Sequence, residues 1–234
     1  MAKRLQCFMS KKAFSLFEIL LVLAIIGILG AVGYVIYPQS LLNLAQEQIV
    51  NHLNYTRFLA LNSSKQITQN AFCQSDFCQE ERERYQESFW RLQFADLKNI
   101  GWAYSVFSDS ARSSKTKNFD DRPMDSFEVA RDSMSGKYLS VYTYNNTKFA
   151  NGLREGDLSI SKRYGVSKVQ MYGGCGKQNG GRILFDDLGF VRCKKSGEKV
   201  SYPDGEVILE LMDNFGASVR ICISENGLVE KCLN

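Results

Sequence analysis

Glu18 is the residue whose position most needs a chemical reason. It heads a run, Ile19 to Gln46, without a single charged side chain, and Ile19 to Tyr37 is almost wholly apolar. A carboxylate among apolar neighbours is costly unless a cation meets it, so Glu18 calls for a positive partner. The cysteines come next. Of seven, Cys7 lies in a basic N-terminal stretch and six remain: Cys73, Cys78, Cys175, Cys193, Cys222 and Cys232. An even set suits an oxidising compartment and disulfides. No pair has the doubled C-x-x-C spacing of a zinc site, and His52, the single histidine, has no nucleophile and acid arranged with it in sequence. The expectation is a chain with no catalytic residue, no metal and no cofactor, and therefore not an enzyme.

Other chemistry-bearing patterns have plainer readings. Gly173, Gly174 and Gly176 with Gly180 and Gly181 look like a phosphate loop, but no Lys-Ser or Lys-Thr follows them, so they read as a glycine-rich loop. Asp186, Asp187, Asp204 and Asp213 fit no calcium-ligand spacing and read as turn residues. Lys194, Lys195 and Lys199 read as a solvated guard on a strand edge. The formal charge is +4, and Lys3, Arg4, Lys11 and Lys12 account for all of it. The remaining body has no net positive field, so direct nucleic-acid binding is not expected.

The elements that must position these residues begin with the apolar run. Its roughly 19 residues, at 1.5 Å each, reach about 28 Å, close to a bilayer's hydrocarbon thickness. Cations just before it predict a cytoplasmic N-terminus with the rest of the chain across the membrane. Pro38 predicts a helix kink. Leu42, Ala45, Ile49, Leu53, Thr56 and Ala60 then recur at helical spacing, with Gln46, Glu47, Asn51 and Asn54 pointing elsewhere, to a helix end near Asn62 or Ser63. Cys73 and Cys78 can staple a surface loop. The charged Gln79–Ser88 stretch reads as an exposed helix or loop, and Ser108–Asp121 as a mobile polar insertion.

From Phe89 the period becomes two, with strands around Trp90–Phe94 and Trp102–Val106. Further strands are expected at Tyr138–Tyr144, Leu158–Lys162, Lys168–Tyr172, Arg182–Asp186, Phe190–Cys193, Glu206–Met212, Ser218–Ser224 and Leu228–Cys232. Short strands at close spacing predict antiparallel sheets. A hairpin at Asn226-Gly227 brings Cys222 near Cys232, and the turn near Gly189 brings Cys193 back toward Cys175. Six cysteines still allow fifteen connectivities.

Read as one unit, Lys11-Lys12-Ala13-Phe14-Ser15-Leu16-Phe17-Glu18-Ile19-Leu20-Leu21-Val22 resembles the leader of type IV pilins and type II secretion pseudopilins. The Ala24–Gly30 run also resembles that family's helix. The Leu53–Lys65 stretch and the Gly101-Trp102 strand are similar to the H-type minor pseudopilins. The resemblance implies cleavage by a prepilin peptidase between Ala13 and Phe14, N-methylation of Phe14, and a role for Glu18 in filament assembly. Ala13 stands where the family usually has glycine.

The implied fold is α+β and pilin-like: a long N-terminal α-helical spine, transmembrane in its first half, followed by an antiparallel β-rich head. Residues 1–13 would be the leader, 14–37 the transmembrane and filament-core helix, 38–64 its amphipathic continuation, and 65–234 a periplasmic globular domain. The implied function is that of a minor pseudopilin in a type II secretion or DNA-uptake filament. Its partners would be other pseudopilins, the peptidase, the inner-membrane secretion platform and membrane lipid. The alternative is a single-span anchored periplasmic binding or adhesin domain.

Overall fold

The computed structural model describes residues 16–62, 79, 82–110, 119–123, 127–141, 158–195 and 197–232, without the side chains of 31–40. The first element, α1 (Leu16–Asn62), stays helical through Pro38. The chain divides into two compact units, Met1–Tyr37 and Pro38–Asn234, so α1 contributes to both.

In the first unit every described side chain of α1, from Leu16 to Gly30, is exposed. Among the described residues no helix is long and apolar enough to cross a membrane. Two expectations are thereby corrected: the long spine with a transmembrane first half, and the single-pass inner-membrane placement with a periplasmic domain. The architecture is mixed helix and strand, β-rich in its C-terminal part.

In the second unit, the 41–62 part of α1 buries the stripe that its spacing predicts. Leu42, Ala45, Ile49, Leu53, Thr56 and Ala60 are all at most 1% exposed. Gln46 is buried as well, contrary to its expected outward placement, because its Nε2 donates to the Arg220 carbonyl oxygen at 2.7 Å. A buried amide is tolerated only with such a partner.

Among the described residues nine strands form two antiparallel sheets: β1 (Trp90–Leu97), β2 (Gly101–Ser108), β3 (Val166–Gly173), β4 (Gln178–Asn179), β5 (Arg182–Phe185), β6 (Val191–Cys193), β7 (Val207–Asp213), β8 (Ser218–Ile223) and β9 (Val229–Lys231). One sheet has the order β2-β1-β5-β6 and the other β4-β3-β7-β8-β9. β7 alternates buried and half-buried residues along its whole length, the mark of a strand with one face on a core. Leu92, Phe94, Tyr104 and Phe185 from the first sheet join Val169, Leu209, Leu211 and Ile221 from the second in one apolar cluster with the α1 stripe.

Leu158–Lys162, expected as a strand, is instead the entry to a short helix, α2 (Ile160–Tyr164). Ser159 caps it by accepting from the Lys162 amide, and Gly165, at φ 72°, ends it in the left-handed region. Ile160 and Tyr164, one turn apart, are the residues it buries. Of Tyr138–Tyr144, Tyr138 makes an isolated bridge with Arg131, and 142–144 lie outside the described residues.

Candidate functional site

The apolar helix surface is the first candidate. Leu16 is 78% exposed, Phe17 73% and Leu29 65%, with Ile19, Leu20, Leu23 and Ile26 exposed between them. A helix apolar on all sides is built to be surrounded, and an apolar surface of this extent marks an interaction site. Gly27 and Gly30 have open space where a Cβ would stand, so another backbone can approach there closely. Glu18 sits in the first turn of α1, where the helix dipole favours a carboxylate. Ala13 and Phe14 lie outside the described residues.

The cysteines of the second unit pair as Cys175–Cys193, Cα atoms 5.3 Å apart, and Cys222–Cys232, 5.1 Å apart. The first ties the turn after β3 to β6. The second closes β8 onto the end of β9, where Cys222 lies opposite Glu230 in register. Cys73 and Cys78 lie outside the described residues.

A buried ionic cluster overturns three of the sequence readings. Lys194, expected on a solvated edge, is 3% exposed, and its Nζ reaches Glu87 at 2.9 Å and Asp121 at 2.7 Å. Glu87, from the stretch expected to be solvated, also pairs with Arg84 at 2.7 Å. Asp121, from the supposedly mobile insertion, accepts from the fully buried Arg91 at 2.8 Å and pairs with Arg182 at 2.8 Å. Residues 111–118 of that insertion are outside the described set. Arg91 lies over the Phe107 ring at 5.3 Å and also donates to the Glu87 carbonyl oxygen. The physical reason is mutual: each charge would be costly alone in this setting, and each is supplied with counter-charges and hydrogen bonds.

The pKa directions follow from that geometry. Burial pushes the Glu87 carboxyl up, but hydrogen bonds from Arg84 and Lys194 outweigh it and hold the group below its ordinary value. Asp121 is likewise held low, with burial outweighed by the Lys194 hydrogen bond and the charges of Arg182 and Arg91. Burial lowers Arg91, opposed by Asp109 and Asp121. Asp109 is different: buried, and only partly compensated by Arg91 and by the Asp121 amide it accepts from, it is pushed up to about 7.

A second polar group joins α1 to its surroundings. The Tyr104 hydroxyl lies 2.7 Å from Nδ1 of His52 and accepts from Gln48 Nε2 at 2.6 Å. Tyr164 donates to Gln48 Oε1 at 2.5 Å. His52 thus helps hold α1 against β2. Asp186 accepts from the Leu188 and Phe190 amides, and Asp213 from those of Phe215 and Ala217, both as turn residues. Among the described residues no group of three or more His, Cys, Asp or Glu is placed to hold a metal ion.

The one available signal for the ionic cluster was Arg91 itself, a cation inside an aromatic strand, with Asp109, Asp120, Asp121 and Glu128 downstream. The meeting of Arg91 and Lys194 on the one Asp121 carboxylate had no local signature. Comparison with family models, curated proteins and solved structures yields no match.

Proposed function

We propose that this chain is a structural subunit of a pilin-like filament, of the minor pseudopilin kind, matured by cleavage between Ala13 and Phe14 and N-methylation of Phe14. The observation that carries the reading is an all-round apolar helix surface from Leu16 to Leu29, exposed on the single chain and interrupted by one carboxylate, Glu18. Such a surface is satisfied when like helices bundle. Bundling then places Glu18 among apolar side chains, where the new cationic amine of Phe14 on an adjacent subunit would be its counter-charge. Pairing in that setting offsets a desolvation cost of several kcal/mol, so helices in the matching register are favoured over mismatched ones.

The second unit supports the reading as a disulfide-tied domain carried by the same helix. The amphipathic 41–62 segment belongs to its core and cannot bundle at the same time. Secretion and DNA uptake are both compatible cargo for such a filament.

Mass spectrometry of the natural protein's N-terminus tests the proposal. The expected species begins at N-methylated Phe14. A mature protein still beginning at Met1 would overturn it.

A further inference from the structure

The second unit carries a groove that the filament reading leaves unused. Three shallow concavities adjoin one another. The first, of about 210 Å³, is lined by Tyr85, Phe89, Asp186 and Asp187 and shares Leu188, Arg192 and Tyr202 with the second, of about 410 Å³. The second adds Phe190 and Pro203 and shares Glu225 and Asn226 with the third, whose far wall is Glu206. The groove therefore runs from an aromatic end, past a central ridge, to an acidic end.

Its ridge is exposed and yet organised. Tyr202 is 76% exposed and Leu188 68%. The Arg192 guanidinium sits 3.9 Å from the Tyr202 ring centre and 5.9 Å from that of Phe190. Its other side is held by Asp186 at 2.5 Å. The walls are tied from behind: Val191 N–H donates to the Glu225 carbonyl oxygen at 3.0 Å, and Arg57 to that of Gly189 at 3.1 Å. The Gly205 amide donates to the Glu225 side chain at 2.9 Å.

Charge selects the occupant. Asp186, Asp187, Glu206 and Glu225 line the groove against the guanidinium of Arg192, which Asp186 already holds, and that of Arg57, which is turned to the Gly189 and Asn226 carbonyl oxygens of the wall. The body of the chain as a whole is balanced in charge, so this is a local negative field beside exposed apolar rings. We propose that the groove binds an extended segment of a partner protein, with aromatic or large aliphatic side chains in the Leu188–Tyr202 pockets and lysines or arginines against Glu206 and Glu225.

The test uses the full chain in mild detergent and two fluorescein-labelled synthetic decapeptides, each with two phenylalanines four residues apart. One continues with three lysines and the other with three glutamates. Fluorescence anisotropy at low salt should show the lysine peptide binding about tenfold or more tightly than the glutamate peptide, a preference that shrinks at high salt as screening shortens the field. Tyr202→Ala should weaken the lysine peptide about tenfold, as expected for loss of an exposed aromatic anchor, without moving the melting temperature. Glu206→Lys combined with Glu225→Gln should abolish the preference between peptides. Equal affinity for both peptides, binding indifferent to Tyr202→Ala, or no binding to either would overturn the proposal. So would self-association by sedimentation that Tyr202→Ala abolishes, since a second copy would then be the occupant.

Discussion

Lys194 and Asp121 meet at 2.7 Å in the second unit, 73 residues apart in sequence. The same Asp121 oxygen accepts from Arg91, and its other oxygen faces Arg182. One carboxylate thus holds three cations from β1, β5 and the residue after β6, across three neighbouring strands of one sheet.

Lys194→Met should therefore destabilise the domain. Breaking a fully buried pair costs about 3 to 5 kcal/mol; Arg91, Arg182 and Arg84 remain to serve the two carboxylates, so the expected loss is about 2 kcal/mol. Urea unfolding measures it, and a midpoint equal to wild type would refute the structural role of Lys194.

Asp109 predicts a pH dependence of the opposite sense to its neighbours. Its folded-state value, near 7, lies above the ordinary 3.8, so the folded domain holds a proton that the unfolded chain releases. That contribution is complete below about pH 4 and is lost as pH rises through 7. Glu87 and Asp121, held low, contribute stability at neutral pH that fades as pH falls below the ordinary carboxylate range. Asp109→Asn should raise stability at pH 8 and flatten the slope between pH 5 and 7, which thermal melts across that range would show. A slope unchanged in Asp109→Asn would assign it elsewhere.

The two described disulfides should each contribute about 3 kcal/mol by restricting the unfolded chain, the Cys175–Cys193 loop slightly more because it is longer. Replacing either pair by serines, or reducing the protein during urea titration, should lower stability by about that amount. Insensitivity to reductant would mean that the natural protein does not carry the bridges.

Gly227 offers a backbone test. It has φ 82°, and a Cβ there would stand 2.0 Å from the Gly189 carbonyl oxygen, which is backbone and cannot swing away. Gly227→Ala should cost about 2 kcal/mol or more through strain and separation of the two turns. Calorimetry that found no loss would show that the Asn226-Gly227 and Gly189 turns are not in contact.

Glu18→Ala follows from the proposed filament role. Processing at Phe14 should persist, while co-purification with neighbouring subunits should fall about tenfold, the equivalent of a modest part of a buried ion pair. Undiminished association would remove Glu18 from assembly.

The sequence determined what depends on neighbours along the chain. The stripe Leu42, Ala45, Ile49, Leu53 and Ala60 predicted a buried helix face because helical period is a local property, and the buried face is there. Alternation from Trp90 and Trp102 marked β1 and β2 for the same reason. The Asn226-Gly227 turn brought Cys222 toward Cys232 because a hairpin sets its own register.

What only the tertiary structure decided is what depends on residues far apart. Leu158–Lys162 alternates like a strand, yet Ser159 capping and burial of Tyr164 made it enter a helix. Lys194, Glu87 and Asp121 each look like solvated charges, and only folding shows that burial has given each the others as partners. The strand order β2-β1-β5-β6 likewise joins segments whose pairing has no short-range signature. Periodicity is written in a few consecutive residues, whereas desolvation and counter-charge are settled by whatever the fold brings alongside.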